Sequence, residues 1–171
     1  IAKIASEEIK IISLTITEGG YKVDFNQSRS VFWYVAEGLK RRMEKDLPIT
    51  ILSCDNMQMN GNAAKYAFMS YFEAKYPEVA ARAKKKEKFP NSMVDRITPV
   101  TKPGKVTDVC CEDFIQWVIE DNFIAGRPAW EKVGVTFTHD VTPYEIMKLS
   151  LLNASHTLLS YPAYMEGFRK V

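Results

Sequence analysis

The eight glycines, at positions 19, 20, 38, 61, 104, 126, 134 and 167, never fall in the spacing G-x-G-x-x-G. The chain therefore carries no glycine-rich turn for a pyrophosphate. Histidine is scarce, with only His139 and His156, and there is no C-x-x-C, so zinc would find too few ligands at a usable spacing. Cysteine is limited to Cys54, Cys110 and Cys111. An odd count with two adjacent residues suits reduced thiols better than a disulfide framework. Neither Cys54 nor the Cys110 pair has a histidine nearby in sequence, which leaves a cysteine nucleophile without a base. A surplus of one charge is also lacking, with 23 basic against 21 acidic residues. That balance gives no electrostatic case for nucleic acid or an anionic membrane, and a small neutral or anionic partner stays open. No apolar run approaches the ~20 residues that span a bilayer, and no segment resembles a signal peptide. The expected location is cytoplasmic.

The 171 residues, 46% of them hydrophobic, suffice for one core or for a domain with part of another. The first residue is Ile1 rather than Met, inside a helix-like stretch at Ile1–Glu8, so the chain is expected to be processed or part of a longer one. The run from Lys10 to Thr17 is β-branched and apolar and stops at Glu18-Gly19-Gly20, which predicts a buried strand. Apolar residues at helical spacing from Ser30 to Lys45 predict a helix with a basic end, Pro48 breaks it, and Ile49–Ser53 predicts a second strand. Asn60 to Lys75 reads as a helix and the basic run Arg82–Lys88 as a solvated face or loop. Further strands are predicted at Ser92–Ile97 and Val133–Thr138. From Thr142 the pattern is helical, and Thr142-Pro143-x-Glu145 has the form of a capped start. Alternating strands and helices predict an α/β architecture with a mostly parallel sheet.

In such sheets ligands bind beyond the carboxyl ends of the strands. Three predicted strands end in polar clusters: Thr17-Glu18-Gly19-Gly20, Ser53-Cys54-Asp55-Asn56 and Val94-Asp95-Arg96. Each alone fits ordinary turn chemistry, and together they suggest a shared site. The helix from Tyr144 to Leu159 carries apolar residues in nearly every direction, which predicts burial most of the way round. Lys148 then needs a reason. Desolvation disfavours an ammonium, so a lysine in such a setting can act as a general base. A packed stem with its amine in water is the alternative. On an α-helical wheel, His156 falls about 80° and Asn153 about 140° from Lys148, a broad arc that could line a cleft.

Five stretches, in order, resemble the mannitol 2-dehydrogenase family of long-chain polyol dehydrogenases. They are Leu14–Tyr21 (LTITEGGY), Leu52–Asn56 (LSCDN), Phe89–Pro99 (FPNSMVDRITP), Trp117–Phe123 with Gly126-Arg127-Pro128, and Lys148–His156 (KLSLLNASH). The resemblance is to the middle of such enzymes. It implies that residues 1–140 form the later part of a Rossmann-like nucleotide-binding domain and that 141–171 begin an all-α substrate domain. It also implies NAD or NADP as cofactor, a polyol or ketose as substrate, and a zinc-independent reaction. By position, Lys148 matches the family's catalytic lysine, and Asn56 and Asn153 match the amides that stabilise the alkoxide. His156 matches a substrate-orienting residue. Asp95 matches a carboxylate near the lysine and cofactor, with Asn56 and Lys148 also on the cofactor side. Glu145 and Glu18 match glutamates of the proton path. The implied activity is interconversion of a polyol and a ketose, D-mannitol and D-fructose first, with a hexuronate reductase or arabinitol dehydrogenase as the alternative within the family. A non-catalytic interaction module is the alternative outside it.

Overall fold

The computed structural model describes residues 1–100, 104 and 107–169. Strand β2 (Ile49–Ser53) is buried along its whole length, with Ile49, Ile51 and Leu52 fully enclosed. A strand covered on both faces has no use for alternation, and its β-branched and apolar residues each gain ~1.5–3 kcal/mol from burial. Strand β1 (Ile11–Leu14) pairs with it in parallel, Ile12 opposite Ile51. Beyond the last paired residues the ladder continues, with Cys54 N–H donating to Leu14 O at 2.9 Å.

Parallel strands need crossovers. Helix α1 (Ala2–Ala5) precedes β1, and α2 (Val31–Met43) connects β1 to β2, its start capped by Ser30 Oγ, which accepts from Trp33 N–H. Helices α3 (Asn60–Lys75) and α4 (Pro77–Lys86) follow, leading to the two-residue strand β3 (Glu87–Lys88), parallel to β2. Phe32 of α2 meets Phe68 of α3 edge to face at 4.8 Å. The basic end of α2 does more than complement the helix dipole: Arg42 is 1% exposed, and its guanidinium donates to the carbonyls of Ile4, Ser6, Leu47 and Pro48.

A second sheet contains β4 (Ser92–Asp95), β5 (Gln116–Glu120) and β6 (Thr136–Thr138). The β4 and β5 strands are antiparallel, and β5 and β6 are parallel. The α/β class and the mostly parallel pairing agree with expectation. The link between the sheets runs through a side chain. Asn60, fully buried, accepts from Ser92 N–H at 2.9 Å and donates to Ser92 O at 2.8 Å and Asp55 O at 3.0 Å. Ser92 Oγ donates to Ser53 O at 2.5 Å. Gly61 makes this approach possible, since a Cβ there would lie 2.4 Å from Pro90 O.

Several elements differ from the sequence reading. Strand β5 was not expected: its neighbours Val118 and Ile119 face opposite sides and are both buried, so no period-two signal exists. The stretch Val133–Thr138 is a strand only from Thr136, because Trp130–Val133 forms a 3₁₀ turn ended by Gly134 at φ 97. The basic run at 82–88 is helical as far as Lys86 and not wholly solvated: Arg82 and Glu87 have side chains 9% and 0% exposed and pair with each other. The capped start at Thr142 is also different, since Glu145 turns away from its own helix. The helix predicted to be buried most of the way round leaves Ile146, Leu151 and Leu158 at 53%, 64% and 73% exposure. Apolar residues facing several ways need surfaces on several sides, and the start of α3 and β4 supply one.

Candidate active site

Chain order places the site where β2 ends. Ser53 closes the strand, Asp55 turns the backbone, and Asn56 stands exposed beyond it. Facing it, α5 (Thr142–Met147), with Pro143 in its first turn, delivers Lys148 at its end. Lys148 Nζ donates to Asn56 Oδ1 at 3.0 Å and to Val94 O at 2.6 Å. Asp95 Oδ1 stands 3.8 Å from the same nitrogen, an ion pair rather than a hydrogen bond. The lysine side chain is 11% exposed and that of Asp95 12%. The amine of Lys148 is thus anchored by two acceptors rather than left free at the end of a packed stem. An ammonium has three hydrogens, so one remains for a reacting oxygen. With Oδ1 of Asn56 engaged, its Nδ2 has no hydrogen-bond partner among the described residues and can donate into the cleft.

Asp55, Asn56, Val94, Glu145, Lys148 and Asn153 all line one cleft. Asn153 reaches it through a local departure from α geometry. Residues Lys148–Asn153 form a π-helical turn, in which Ala154 N–H donates to Leu149 O, five residues back. A π turn advances by a smaller angle per residue than an α turn, so Asn153 falls nearer to Lys148 than the about 140° of an α wheel, and both line the cleft. Helix α6 (Ala154–Met165) continues from there.

Glu145 is 6% exposed and accepts from Met59 N–H at 3.0 Å. Met59 is the left-handed residue that precedes α3, so Glu145 caps that helix from 86 positions away and places its charge at the positive end of the helix. His156 is half-buried and outside the cleft lining, with its carbonyl accepting from Ser160 Oγ. Glu18 is exposed and also outside the lining, at the start of a 3₁₀ turn. Arg96 of the third cluster turns away and donates to Glu112 O.

The residues that support the site had no signal as ligands. Asp55 Oδ2 accepts from Ile16 N–H at 3.1 Å and from Tyr21 OH at 2.6 Å, and Oδ1 accepts from Thr17 N–H at 2.8 Å. Tyr21 OH also meets Ser53 Oγ at 2.6 Å, and burial, with Asp55 beside it, holds its phenol well above the ordinary range. Thus the first and second polar clusters are joined by Asp55, and the second and third by Lys148 and Asn60. Burial pushes the Cys54 thiol up to about 11, which removes it as a thiolate at neutral pH. Among the described residues no group of three or more His, Cys, Asp or Glu could hold a metal ion, and no helix is long and apolar enough to cross a membrane.

Known proteins share this arrangement of chain. The mannitol dehydrogenase Rossmann domain matches residues 1–132. Mannitol 2-dehydrogenase of Neosartorya fischeri is 41% identical over all of this chain and 41% of its own length. D-mannonate oxidoreductase of Escherichia coli is 38% identical over 98% of the chain and 41% of its own. The structure of Pseudomonas fluorescens mannitol 2-dehydrogenase in ternary complex with NAD and D-mannitol superposes with a TM-score of 0.85 at 41% identity, covering 98% of this chain and 41% of that one. The chain thus spans about two fifths of the length of these relatives. With a Rossmann-domain match over residues 1–132 and polyol dehydrogenases aligned along its length, the chain belongs to the mannitol dehydrogenase family.

Proposed function

We propose that the protein interconverts a polyol and a ketose, D-mannitol and D-fructose, with NAD or NADP, using Lys148 as general acid and base without a metal. The observation that carries this is the anchored amine of Lys148, held between Asn56 Oδ1 and Val94 O at the mouth of a cleft that Asn153 also lines. In the oxidative direction Nζ takes the hydroxyl proton while the carbon-bound hydrogen departs as hydride. The amide hydrogens of Asn56 and Asn153 donate to the oxygen as it becomes negative, fixed dipoles in place of a Lewis acid. Asp95 sits 3.8 Å from the amine, on the cofactor side of the lysine. Glu145, one turn before Lys148, passes the proton towards solvent with Glu18, and His156 orients the substrate's far hydroxyls.

The residues present fit one end of a nicotinamide nucleotide. Strand β2 ends at the cleft, the usual location for such ligands, with the exit of parallel β1 tied beside it through Asp55, and Asn56, Asp95 and Lys148 would hold that end. Bound there, the nicotinamide supplies the hydride acceptor. On this reading residues 1–140 complete a nucleotide-binding domain, and the apolar faces of residues 141–171 pack against further helices of a substrate domain. A hexuronate reductase is the second reading, favoured by the 38% identity to D-mannonate oxidoreductase.

The test is a panel of polyols, ketoses and hexuronates with both cofactors on the full-length enzyme, following reduced nicotinamide by absorbance. Mannitol oxidation and fructose reduction are expected, unchanged after dialysis against EDTA. Absence of hydride transfer across the panel overturns the proposal, and activity lost to EDTA and restored by zinc overturns its metal-independent part.

A further inference from the structure

We infer that Asp55 is a positioning residue, which ties the exits of β1 and β2 together and thereby aims the Asn56 amide at Lys148. The inference rests on the proposed role of Asn56 and Lys148. An aspartate that serves only its own turn would accept from amides two or three residues downstream. Asp55 does not. Its carboxylate faces back across the sheet and takes three donors, Ile16 N–H, Thr17 N–H and Tyr21 OH, from 39, 38 and 34 positions earlier. Regular pairing of β1 with β2 ends at Leu14 and Ser53, with one more bond from Cys54 to Leu14. Beyond that bond, the side chain of Asp55 replaces the ladder.

What it holds is strained. Thr17 sits at φ 64 and ψ 165, a conformation that a β-branched residue adopts only when its surroundings impose it. The imposed partners are Asp55 on its N–H and Gly20 N–H on its carbonyl. The backbone of Asp55 is fixed as well, its carbonyl accepting from the buried amide of Asn60. Asn56 is thus the next residue after one clamped through both its side chain and its carbonyl. Asn56 itself is exposed, and among the described residues its one side-chain hydrogen bond is to Lys148. Its direction is consequently set by Asp55 rather than by packing of its own, and a preorganised amide at a developing alkoxide is worth more than a mobile one.

The test uses the full-length enzyme. Asp55→Asn keeps the size but replaces one acceptor oxygen with a donor that faces donors. It is expected to lower kcat about tenfold, the scale of one misdirected catalytic hydrogen bond, with KM for the polyol and binding of the cofactor nearly unchanged. The decisive measurement is a double-mutant cycle. In an Asn56→Ala background, Asp55→Asn should cost no further kcat, since the residue it aims is gone; a full additional tenfold loss overturns the inference. Tyr21→Phe removes only one donor, leaves the fold intact if Asp55→Asn does not, and should lower kcat two- to threefold by the same route, again only when Asn56 is present. Wild-type kcat in both variants overturns the inference while leaving the proposed reaction intact; an inactive parent enzyme overturns the reaction itself.

Discussion

The amine of Lys148 donates to Oδ1 of Asn56 across 3.0 Å and 92 positions of sequence. This single bond joins the carboxyl end of β2 to the first long helical segment after the sheet, and it fixes which atom of the Asn56 amide is left for a ligand. Because Oδ1 is engaged, Nδ2 faces outward as a donor. On the proposed reading, Asn56 and Asn153 supply a donor pair beside the proton carrier, which is what an alcohol losing its proton requires.

Replacing the proposed proton carrier should be severe and specific. Lys148→Ala in the full-length enzyme is expected to lower kcat by about 10²–10⁴, the usual range for general acid and base groups, while cofactor binding, followed by quenching of protein fluorescence, persists. Near-normal turnover would remove Lys148 from the mechanism.

The amide of Asn153 carries a second prediction. Asn153→Ala should reduce kcat by about 10²-fold, as for loss of one oxyanion donor. Asn153→Asp, which keeps the size but removes the donor, should fall as far. Near-parental kcat in either variant would remove Asn153 as a donor to the reacting oxygen.

Glu145 has a structural duty separable from its proposed part in proton passage. Glu145→Gln retains an acceptor for Met59 N–H and should lower stability by no more than ~0.3–1 kcal/mol, the helix-dipole share. Glu145→Ala also orphans that amide and should cost a further ~1–3 kcal/mol. Equal unfolding midpoints in urea for the two variants would contradict the capping bond.

Burial pushes the Glu87 carboxyl up to about 7 from 4.5, against the opposing pull of Arg82 and Arg42. A folded value above the unfolded one means that the folded chain holds the proton more tightly. Its contribution to stability is therefore full below about 4.5 and is lost as pH rises through about 7. Glu87→Gln, which mimics the protonated form, should gain Tm relative to the parent between pH 5 and pH 8. A difference in Tm that stays constant over that range would show that Glu87 does not titrate there.

Asn60 welds the two sheets. Asn60→Ala leaves Ser92 N–H and O without their partner in a buried setting, and a loss of ~2–4 kcal/mol is expected from the unsatisfied groups. Circular dichroism melts that match the parent would show that the sheets hold together without it.

Where a segment's own residues set its conformation, the sequence was sufficient. Ile49–Ser53 is a strand and Asn60–Lys75 a helix within the predicted limits, because β-branched residues after Pro48 and a helical apolar period need no distant partner to declare themselves. Lys148, Asn56, Asn153 and Asp95 were also legible, since their residue types and order survive in linear form, and the structure places all four within one cleft or against its lysine.

Other features depend on contacts that no linear pattern encodes. Asp55 and Asn60 read as turn and helix-start residues, and only the folded chain turns their side chains towards Ile16, Thr17, Tyr21 and Ser92. The π turn adds a wide loop of backbone whose effect on direction appears only in three dimensions, where Asn153 lines the same cleft as Lys148. The chemistry of the site was thus written in the sequence as residue types, but its aim was decided by tertiary structure, because hydrogen bonds between residues 34 to 92 positions apart form only when the sheet and helices have brought their ends together.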